Sequence, residues 1–303
     1  MIVCYVYIGK LPSYIVENIR HTRMYHTGKI VVVVDDLESE YLKEISMYNV
    51  EVLPYTYFMD ERFANLVNEN LSRFCIVDKL GERKLLFIRS FERFYILKKV
   101  MEYFRYTEVL FLELDMLIYF NPEEYRDYFN QKDIAFTFTD KKYICTAICY
   151  VKSIEILEDL TDYFCNFILH SSEFISEMTA LGSWCLEAGK KEKILYLPGL
   201  WKDERYSEEV WCNYNESRGI FDSMGLGIEI DGPDTPHRAA WEEKGRKWWG
   251  TQVHYYEYKI KEKLMNNKRQ FFLVDGAKEV KLECIHMHSK NLKRIVSYSQ
   301  EDP

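Results

Sequence analysis

Three absences limit what this 303-residue chain can be. It has no run of about 18 apolar residues, which excludes a typical transmembrane helix. It has no Cys-x-x-Cys pair, and its eight cysteines are scattered, mostly in apolar contexts, as expected of small core residues in a reducing compartment. Basic residues are not in excess, because the net charge is −8, so we expect no broad surface for binding nucleic acid.

The first residues also lead us to expect no export signal. The chain begins MIVCYVYIGK, which is typical of a β-strand and has neither a basic leader nor a small-residue cleavage site. There is no internal repeat and no low-complexity linker. We therefore expect a cytoplasmic protein with a single domain over residues 1–303. Its two halves would be residues 1–120 and 121–297, followed by a short polar tail at 298–303.

Strand-like and helix-like segments alternate along the chain. We predict helices at 13–26, 60–77, 90–104, 154–170 and 173–188, and strands at 2–8, 29–36, 50–54, 109–122, 134–138, 143–151 and 193–198. Residues 280–292 are predicted to form a strand followed by a turn. Residues 253–261 and 269–274 are expected to form an antiparallel pair. The pattern predicts an α/β fold with a mostly parallel central sheet flanked by helices, and a small antiparallel element in the C-terminal half.

The stretch VLFLELDMLIYFNP, residues 109–122, carries two carboxylates inside an apolar run. In a strand, residues i and i+2 share a face, so Glu113 and Asp115 would point to one side while Leu112 and Leu114 enter the core. Two such carboxylates at a strand end could share a hard divalent cation. The plainer alternative is a pair of solvated acids at a strand terminus.

The segment CIHMHSK near the C-terminus has a matching pattern. His286 and His288 alternate and so could share a face, with Lys290 two residues further on. A lone histidine is more often structural than a ligand, but imidazole together with carboxylates can hold Mn²⁺ or Mg²⁺. A lysine beside them would meet a phosphate oxygen as a point charge. The combination suits a metal-bound diphosphate.

These segments resemble the GT-A glycosyltransferases. The acidic-x-Asp pair, with the helix before it in FERFYILKKVMEYFRYTEVLFLELDMLIY, is similar to the DxD region of that superfamily. IHMHSKNL resembles the C-terminal motif of its glycogenin-like and lipopolysaccharide galactosyltransferase-like members, and RGIFDSMGLGIEIDGPDTP resembles a segment of bacterial and large-virus glycosyltransferase-like proteins. The resemblance implies a GT-A-type fold.

The same resemblance implies an activity. The enzyme would move a sugar from a nucleotide diphosphate sugar, UDP-linked rather than GDP-linked, to a hydroxyl of a glycan or other acceptor, with Mn²⁺ or Mg²⁺. Residues 1–120 would bind the donor and residues 121–297 the acceptor. Matching the motifs makes Asp115 the direct metal ligand, with Glu113 near the metal and the ribose. His288 would be the metal histidine, Lys290 would bind phosphate, and His286 would lie behind the ligands.

Further donor contacts follow from the resemblance. Tyr7 and Gly9, where the first strand ends, would lie against the nucleoside, or else belong to a plain strand that ends in a turn glycine. Asp36 would accept a hydrogen bond from the base, or else simply cap the next helix. Arg93 would reach the diphosphate or the donor sugar, whereas Arg89, one turn earlier, is expected to be a solvated surface residue.

Candidate catalytic acids lie in the second half of the chain. Asp222 and Asp231 flank glycines, and either could deprotonate the acceptor hydroxyl in an inverting reaction, although the sequence does not choose between inversion and retention. Glu177 at a helix start would contact the donor sugar, or would only complement the helix dipole. Aromatic and acidic residues that could bind sugar, or form a local core, are Trp201, Trp211, Trp241, Trp248, Trp249 and Asp234.

Two rival functions remain open at this stage. A metal-dependent hydrolase could build a zinc site from the His-x-His pair and an aspartate. A nucleotide-sugar-binding protein without turnover would need the same donor contacts.

Overall fold

Strands form where β-branched and aromatic residues run together, because such side chains pack well on a pleated surface. The computed structural model describes residues 1–74, 84–140, 143–172, 175–233 and 253–296. The described strands are β1 (Ile2–Tyr7), β2 (Ile30–Val34), β3 (Val50–Pro54), β4 (Val109–Leu112), β5 (Met116–Ile118), β6 (Ile134–Asp140), β7 (Tyr143–Val151), β8 (Ile194–Leu197), β9 (Lys259–Met265), β10 (Lys268–Asp275), β11 (Lys278–Lys281) and β12 (Cys284–His286).

Seven of these strands form a central sheet in the order β3-β2-β1-β4-β7-β6-β8. The first four are mutually parallel, β7 is antiparallel to both of its neighbours, and β8 is parallel to β6. All five residues of β2 are buried, as expected of a strand covered on both faces. The predicted mostly parallel central sheet is therefore confirmed.

Helices cover both faces of this sheet. The described α-helices are α1 (Ile15–Tyr25), α2 (Tyr41–Ser46), α3 (Glu61–Glu69), α4 (Leu71–Phe74), α5 (Lys84–Phe104), α6 (Arg126–Phe129), α7 (Ile154–His170), α8 (Glu177–Cys185) and α9 (Leu226–Asp231). Apolar residues of α3, α5, α7 and α8 pack in one core, and those of α1, α2 and α6 in the other. Along β2 and β8, alternate residues enter opposite cores, as the period of two requires.

The acidic run 109–122 is not one strand, which corrects the prediction. After β4 the chain leaves the sheet, turns at Leu114–Asp115, and resumes as β5. The Met116 N–H donates to the Glu113 carbonyl at 3.0 Å, closing the turn. Within this turn Glu113 contacts Arg93 of α5, and Asp115 contacts His286 of β12.

Two small sheets complete the described fold. β5 pairs with β12 in antiparallel fashion, and β9, β10 and β11 form the predicted antiparallel element. The predicted strand over 253–261 is wrong in its first part, where Tyr255–Glu257 form a short 3₁₀ turn before β9. No helix within the described ranges is long and apolar enough to cross a bilayer. The predictions for residues 75–77, Trp241, Trp248, Trp249 and Asp234 lie outside the described residues.

Candidate active site

The centre of the candidate site is the turn between β4 and β5, because β12 lies directly beside it. His286 is the register partner of Met116, the residue after Asp115. Its Nε2 lies 3.0 Å from Asp115 Oδ2 and 3.3 Å from Glu113 Oε2. One ligand atom from each of these three residues lies within 4.8 Å of the others, a spacing that a single metal ion could bridge.

Cations neutralise the two carboxylates in this structure. Lys290 donates to Asp115 Oδ2, and Arg93 donates to Glu113 Oε1. Burial acts to raise the pKa of Glu113, but Arg93 and His286 outweigh it and lower that pKa to about 2. Burial likewise opposes the pKa shift of Asp115, yet His286 and Lys290 hold it well below its usual range. Both acids are thus ionised, and the interactions that keep them so come from residues far apart in sequence.

His286 responds to the same charges in the opposite direction. Burial alone would lower the pKa of its imidazole, but Asp115 and then Glu113 raise it well above the usual value. Two basic side chains, His286 and Lys290, therefore balance the charge of the carboxylates.

Arg93 connects the carboxylates to helix α8. Its guanidinium is buried and donates to Thr146 Oγ1 and to Glu177 Oε1, each at 2.9 Å, as well as to Glu113. Glu177 is the first residue of α8, and burial raises the pKa of its carboxyl against the lowering effect of Arg93. Arg89, expected to be solvated, is partly buried and pairs with the buried Glu92 one turn along α5.

Asp222 holds His286 in place through the backbone. It is fully buried, and its Oδ1 accepts from the N–H groups of Gly225 and Leu226 at 2.8 and 3.0 Å. Its Oδ2 accepts from the N–H groups of Gly227 at 3.3 Å and of His286 at 2.8 Å. With both oxygens on backbone donors, the geometry favours a positioning role for Asp222, and its role as a base stays an untested prediction.

The α9–β12 contact also depends on a glycine. A Cβ built on Gly227 would lie 2.0 Å from the His286 carbonyl oxygen, closer than any side chain tolerates. The first turn of α9 can therefore approach β12 only because residue 227 has no side chain.

Asp231, at the end of α9, fastens the C-terminal turn that carries Lys290. Its carboxylate pairs with Arg294. Burial opposes the shift, but hydrogen bonds from Ser289, Arg294 and Asn291 lower the pKa of Asp231. This structure therefore engages Asp231 in holding the turn, while its proposed catalytic role is not tested.

The first strand ends beside the cluster. Burial raises the pKa of Tyr7, and the opposing charges of Lys290 and Asp115 both act on its phenol. Gly9, with φ of +127°, donates its N–H to Asp35 Oδ1 at 2.7 Å, and the Leu11 N–H donates to Asp36 Oδ2 at 3.0 Å. Asp36 therefore braces the β1–α1 loop and does not cap α2, whose preceding residue makes no side-chain cap bond.

His288 lies behind His286, with the two ring centroids 4.1 Å apart. Sequence reasoning chose His288 for the metal and His286 for support, whereas the measured distances bring His286 to the carboxylates. Thr146 and Tyr14 were missed. The charges of Asp115 and Glu113, together with burial, raise the pKa of Tyr14. No local pattern marks either residue, because each reaches the cluster only through tertiary packing.

Two of the predicted aromatic sugar contacts lie in the described part. Trp201 is buried edge-on against Tyr258, with ring centroids 5.2 Å apart. Trp211 is partly buried against the main core, with Lys202 Nζ 5.6 Å from its ring centroid. Both tryptophans therefore contribute to local packing.

Comparisons with known proteins give structural neighbours only. No family model and no curated protein matches the chain. Mouse xyloside xylosyltransferase 1 is similar with a TM-score of 0.45 at 9% identity, covering 66% of this chain and 85% of that one. The PaToxG glycosyltransferase gives 0.38 and 11%, covering 63% and 72%, and a cytidylyltransferase from Leptospira borgpetersenii serovar Hardjo-bovis gives 0.40 and 9%, covering 67% and 76%. These are likenesses of chain topology, and none of them assigns an activity to this chain.

Proposed function

We propose that this protein is a metal-dependent glycosyltransferase that moves a sugar from a nucleotide diphosphate donor to a hydroxyl acceptor. The observation that supports it best is the buried cluster of Glu113, Asp115 and His286 with Lys290 bonded to it. The cluster follows β4 and lies beside the end of the neighbouring parallel strand β1. Ligands of open α/β sheets bind beyond the carboxyl ends of such strands.

The donor atoms of the cluster fit a divalent cation. Two carboxylates and one imidazole suit Mn²⁺ or Mg²⁺, and their atoms are already within 4.8 Å of one another. Asp115, Glu113 and His286 would hold the ion, and His288, one ring behind, is the second candidate histidine. When bound, the ion supplies stabilisation of the negative charge that develops on the departing diphosphate.

The chain's own residues would divide the remaining tasks. Lys290 would leave Asp115 and donate to a phosphate oxygen, with its charge close to the ion. Arg93 donates to Glu113 and Glu177 and would keep these two carboxylates fixed. It would also form the part of the site that faces the donor sugar. Tyr7 and the loop braced by Asp35 and Asp36 would accept the nucleoside, for which we favour uridine. Positioning of this kind lowers a barrier without a covalent step.

The acceptor hydroxyl would enter from the C-terminal half. Glu177 and Asp231 are the carboxylates that we propose for proton transfer or for orienting the acceptor, and whether the anomeric configuration inverts stays open. Asp222 would serve by fixing His286.

Calorimetry with UDP tests the proposal, in the presence and absence of Mn²⁺. We expect UDP to bind the wild-type protein tightly only with Mn²⁺, and Asp115→Asn to abolish that metal-dependent gain because a direct ligand loses its charge. Equal UDP affinity of the two proteins in Mn²⁺ would refute the assignment. Zn²⁺ retained through purification and needed for activity would favour the hydrolase instead, and donor binding with no transfer or donor hydrolysis would indicate a binding protein.

A further inference from the structure

A second concave site, with none of Glu113, Asp115 and His286 in its lining, includes Glu229 and Ile230 of α9. It is a cavity of about 390 Å³, within the roughly 300–1,000 Å³ typical of small-molecule sites. Its walls come from α9, the 3₁₀ turn before β9, strands β9 and β10, and the C-terminal turn. None of the donor contacts proposed above lines it.

Tyrosines form one wall of the cavity. The Tyr255 hydroxyl donates to the Gly199 carbonyl at 2.8 Å, and the Tyr258 hydroxyl lies 3.1 Å from Arg205 Nη2. Both hydroxyls already form hydrogen bonds within the protein. The two residues therefore line the cavity with their aromatic rings. Tyr256 between them is half-buried and stacks on His254, with centroids 5.4 Å apart. Aromatic walls of this kind suit the C–H faces of a sugar ring.

The charged groups of the cavity restrict the ligand further. Two carboxylates, Glu229 and Glu262, and one guanidinium, Arg294, line it. That guanidinium pairs with Asp231, and Glu262 Oε1 lies 3.4 Å from Arg269 Nε, which leaves Glu262 Oε2 as its second acceptor oxygen. The lining has no surplus positive charge, so a nucleotide or an acidic sugar would meet net repulsion. Carboxylates instead accept hydrogen bonds from hydroxyl or amino groups.

Two elements connect the cavity to the metal cluster. The first turn of α9 contacts His286 through Asp222, while its second half carries Glu229 into the cavity wall. The C-terminal turn bonds Asp115 through Lys290 and reaches the cavity at Arg294. Six residues of helix span about 9 Å, roughly the reach of one or two linked sugar units.

We propose that this tyrosine-lined cavity binds a distal sugar unit of the acceptor, so that the acceptor is a neutral or amino oligosaccharide rather than a single sugar. This proposal rests on the glycosyltransferase function above. It assigns to Tyr256 the contact with the sugar face, and to Glu229 and Glu262 the contacts with its hydroxyl or amino groups.

A glycan array carrying neutral, amino and acidic oligosaccharides tests the cavity without requiring turnover. We expect the wild-type protein to retain a set of neutral or amino oligosaccharides, and Tyr256→Ala to lose that set at least 10-fold. Tyr57→Ala removes a tyrosine that is 73% exposed elsewhere on the surface and should bind like the wild type. Retention of no oligosaccharide, retention of acidic ones only, or equal binding by Tyr256→Ala would overturn the proposal.

A second variant and a second ligand separate the possible failures. Glu262→Gln keeps the shape of the wall and should also weaken the retained oligosaccharides, whereas UDP binding with Mn²⁺ should be unchanged in both variants. Should UDP and Mn²⁺ fail to bind the wild type while oligosaccharides bind and both cavity variants weaken them, the glycosyltransferase proposal fails, and with it the acceptor role, but oligosaccharide binding by the cavity stands. Should UDP bind with Mn²⁺ while both cavity variants retain oligosaccharides as the wild type does, the cavity assignment alone fails.

Discussion

The Asp115 carboxylate contacts both Lys290 and His286. We therefore expect the loss of the Lys290 ammonium to change the affinities for metal and for UDP in opposite directions. Lys290→Met removes an ammonium that competes with a metal for the carboxylate, so affinity for Mn²⁺ alone should rise. The same change removes a hydrogen-bond donor to a phosphate oxygen. Affinity for UDP should therefore fall about 10- to 100-fold, because a charge-assisted hydrogen bond contributes roughly 1.5–3 kcal/mol. Calorimetry measures both affinities.

Lys293→Met is the matched control, because Lys293 lies on the same turn but faces Glu17, with Nζ and Oε1 3.4 Å apart. It should leave both affinities near the wild-type values. A loss of Mn²⁺ affinity in Lys290→Met, or equal losses for UDP and uridine, would count against the phosphate role.

Asp222 offers a residue-scale test of positioning. Asp222→Asn replaces an acceptor oxygen by an amide that faces backbone N–H donors, which should cost about 1–3 kcal/mol of unfolding free energy. It should also weaken Mn²⁺ binding, since His286 loses its backbone anchor. Urea unfolding and calorimetry measure the two effects, with exposed Asp275→Asn as the control. Normal Mn²⁺ affinity in a folded Asp222→Asn protein would contradict the positioning role.

His21 gives the fold a dependence on pH that is separate from the site. Its ring is buried on α1, bonds the Ile118 carbonyl at 2.8 Å, and packs edge-on against Tyr119. Burial lowers the pKa of His21 from 6.5 to about 4. In the unfolded chain this histidine binds a proton as the pH falls below about 6.5, whereas in the folded protein it stays neutral down to about pH 4. The contribution of neutral His21 to the free energy of unfolding is therefore fully present above about pH 6.5 and is lost, by about 3 kcal/mol, as the pH falls to about 4.

His21→Phe should remove this part of the pH dependence, whereas His170→Phe at the exposed end of α7 should keep it. Unfolding free energies at pH 7 and pH 4.5 measure the difference. An equally steep loss of stability in His21→Phe would show that other groups are responsible.

The two histidines show which feature of the site could not be predicted from the sequence. The alternation of His286 and His288 predicted that both rings could share a face with the carboxylates, but it carries no information about which ring lies against them, and the structure places His286 there. That choice is made by the pairing of β12 with β5 and by the bond from the His286 N–H to Asp222. Both contacts join residues more than 60 positions apart, beyond the reach of a local pattern.

Among the elements, α9 and β12 have the closest backbone approach that bears on the site. Gly227→Ala would place a Cβ 2.0 Å from the His286 carbonyl oxygen, so α9 must shift away from β12. We expect the substitution to lower the free energy of unfolding by about 1–3 kcal/mol. We expect Mn²⁺ affinity to fall with it. Gly276→Ala, at φ of +56° with open space around it, supplies a control that strains the backbone away from the site. Equal Mn²⁺ affinities in the two variants would indicate that the α9–β12 contact is irrelevant to the metal.

Elements with strong local periodicity were predicted well. The helix at 154–170 and the strand at 143–151 have the predicted bounds, because long apolar patterns of the right period determine them. Residues 109–122 were predicted as a single strand because the apolar run is continuous. At the turn inside it Glu113 contacts Arg93 and Asp115 contacts His286, and a local pattern does not reveal these partners because they lie on α5 and β12.

Over the whole molecule, the site joins segments from the beginning, middle and end of the chain. Asp115 and His286 are 171 positions apart, and Tyr7 comes from the first strand. In the described structure three carboxylates of the site face three cationic groups, namely Arg93, His286 and Lys290. The net charge of −8 for the chain is thus compatible with a local site for one anionic ligand.

The most direct test of this account is the anomalous diffraction of a crystal soaked with Mn²⁺ and UDP. We predict one manganese peak touching Asp115 and at least one of Glu113 and His286, with the diphosphate on the ion and Lys290 Nζ turned from Asp115 to a phosphate oxygen. A manganese peak elsewhere, or UDP bound with no ion among these residues, would contradict it.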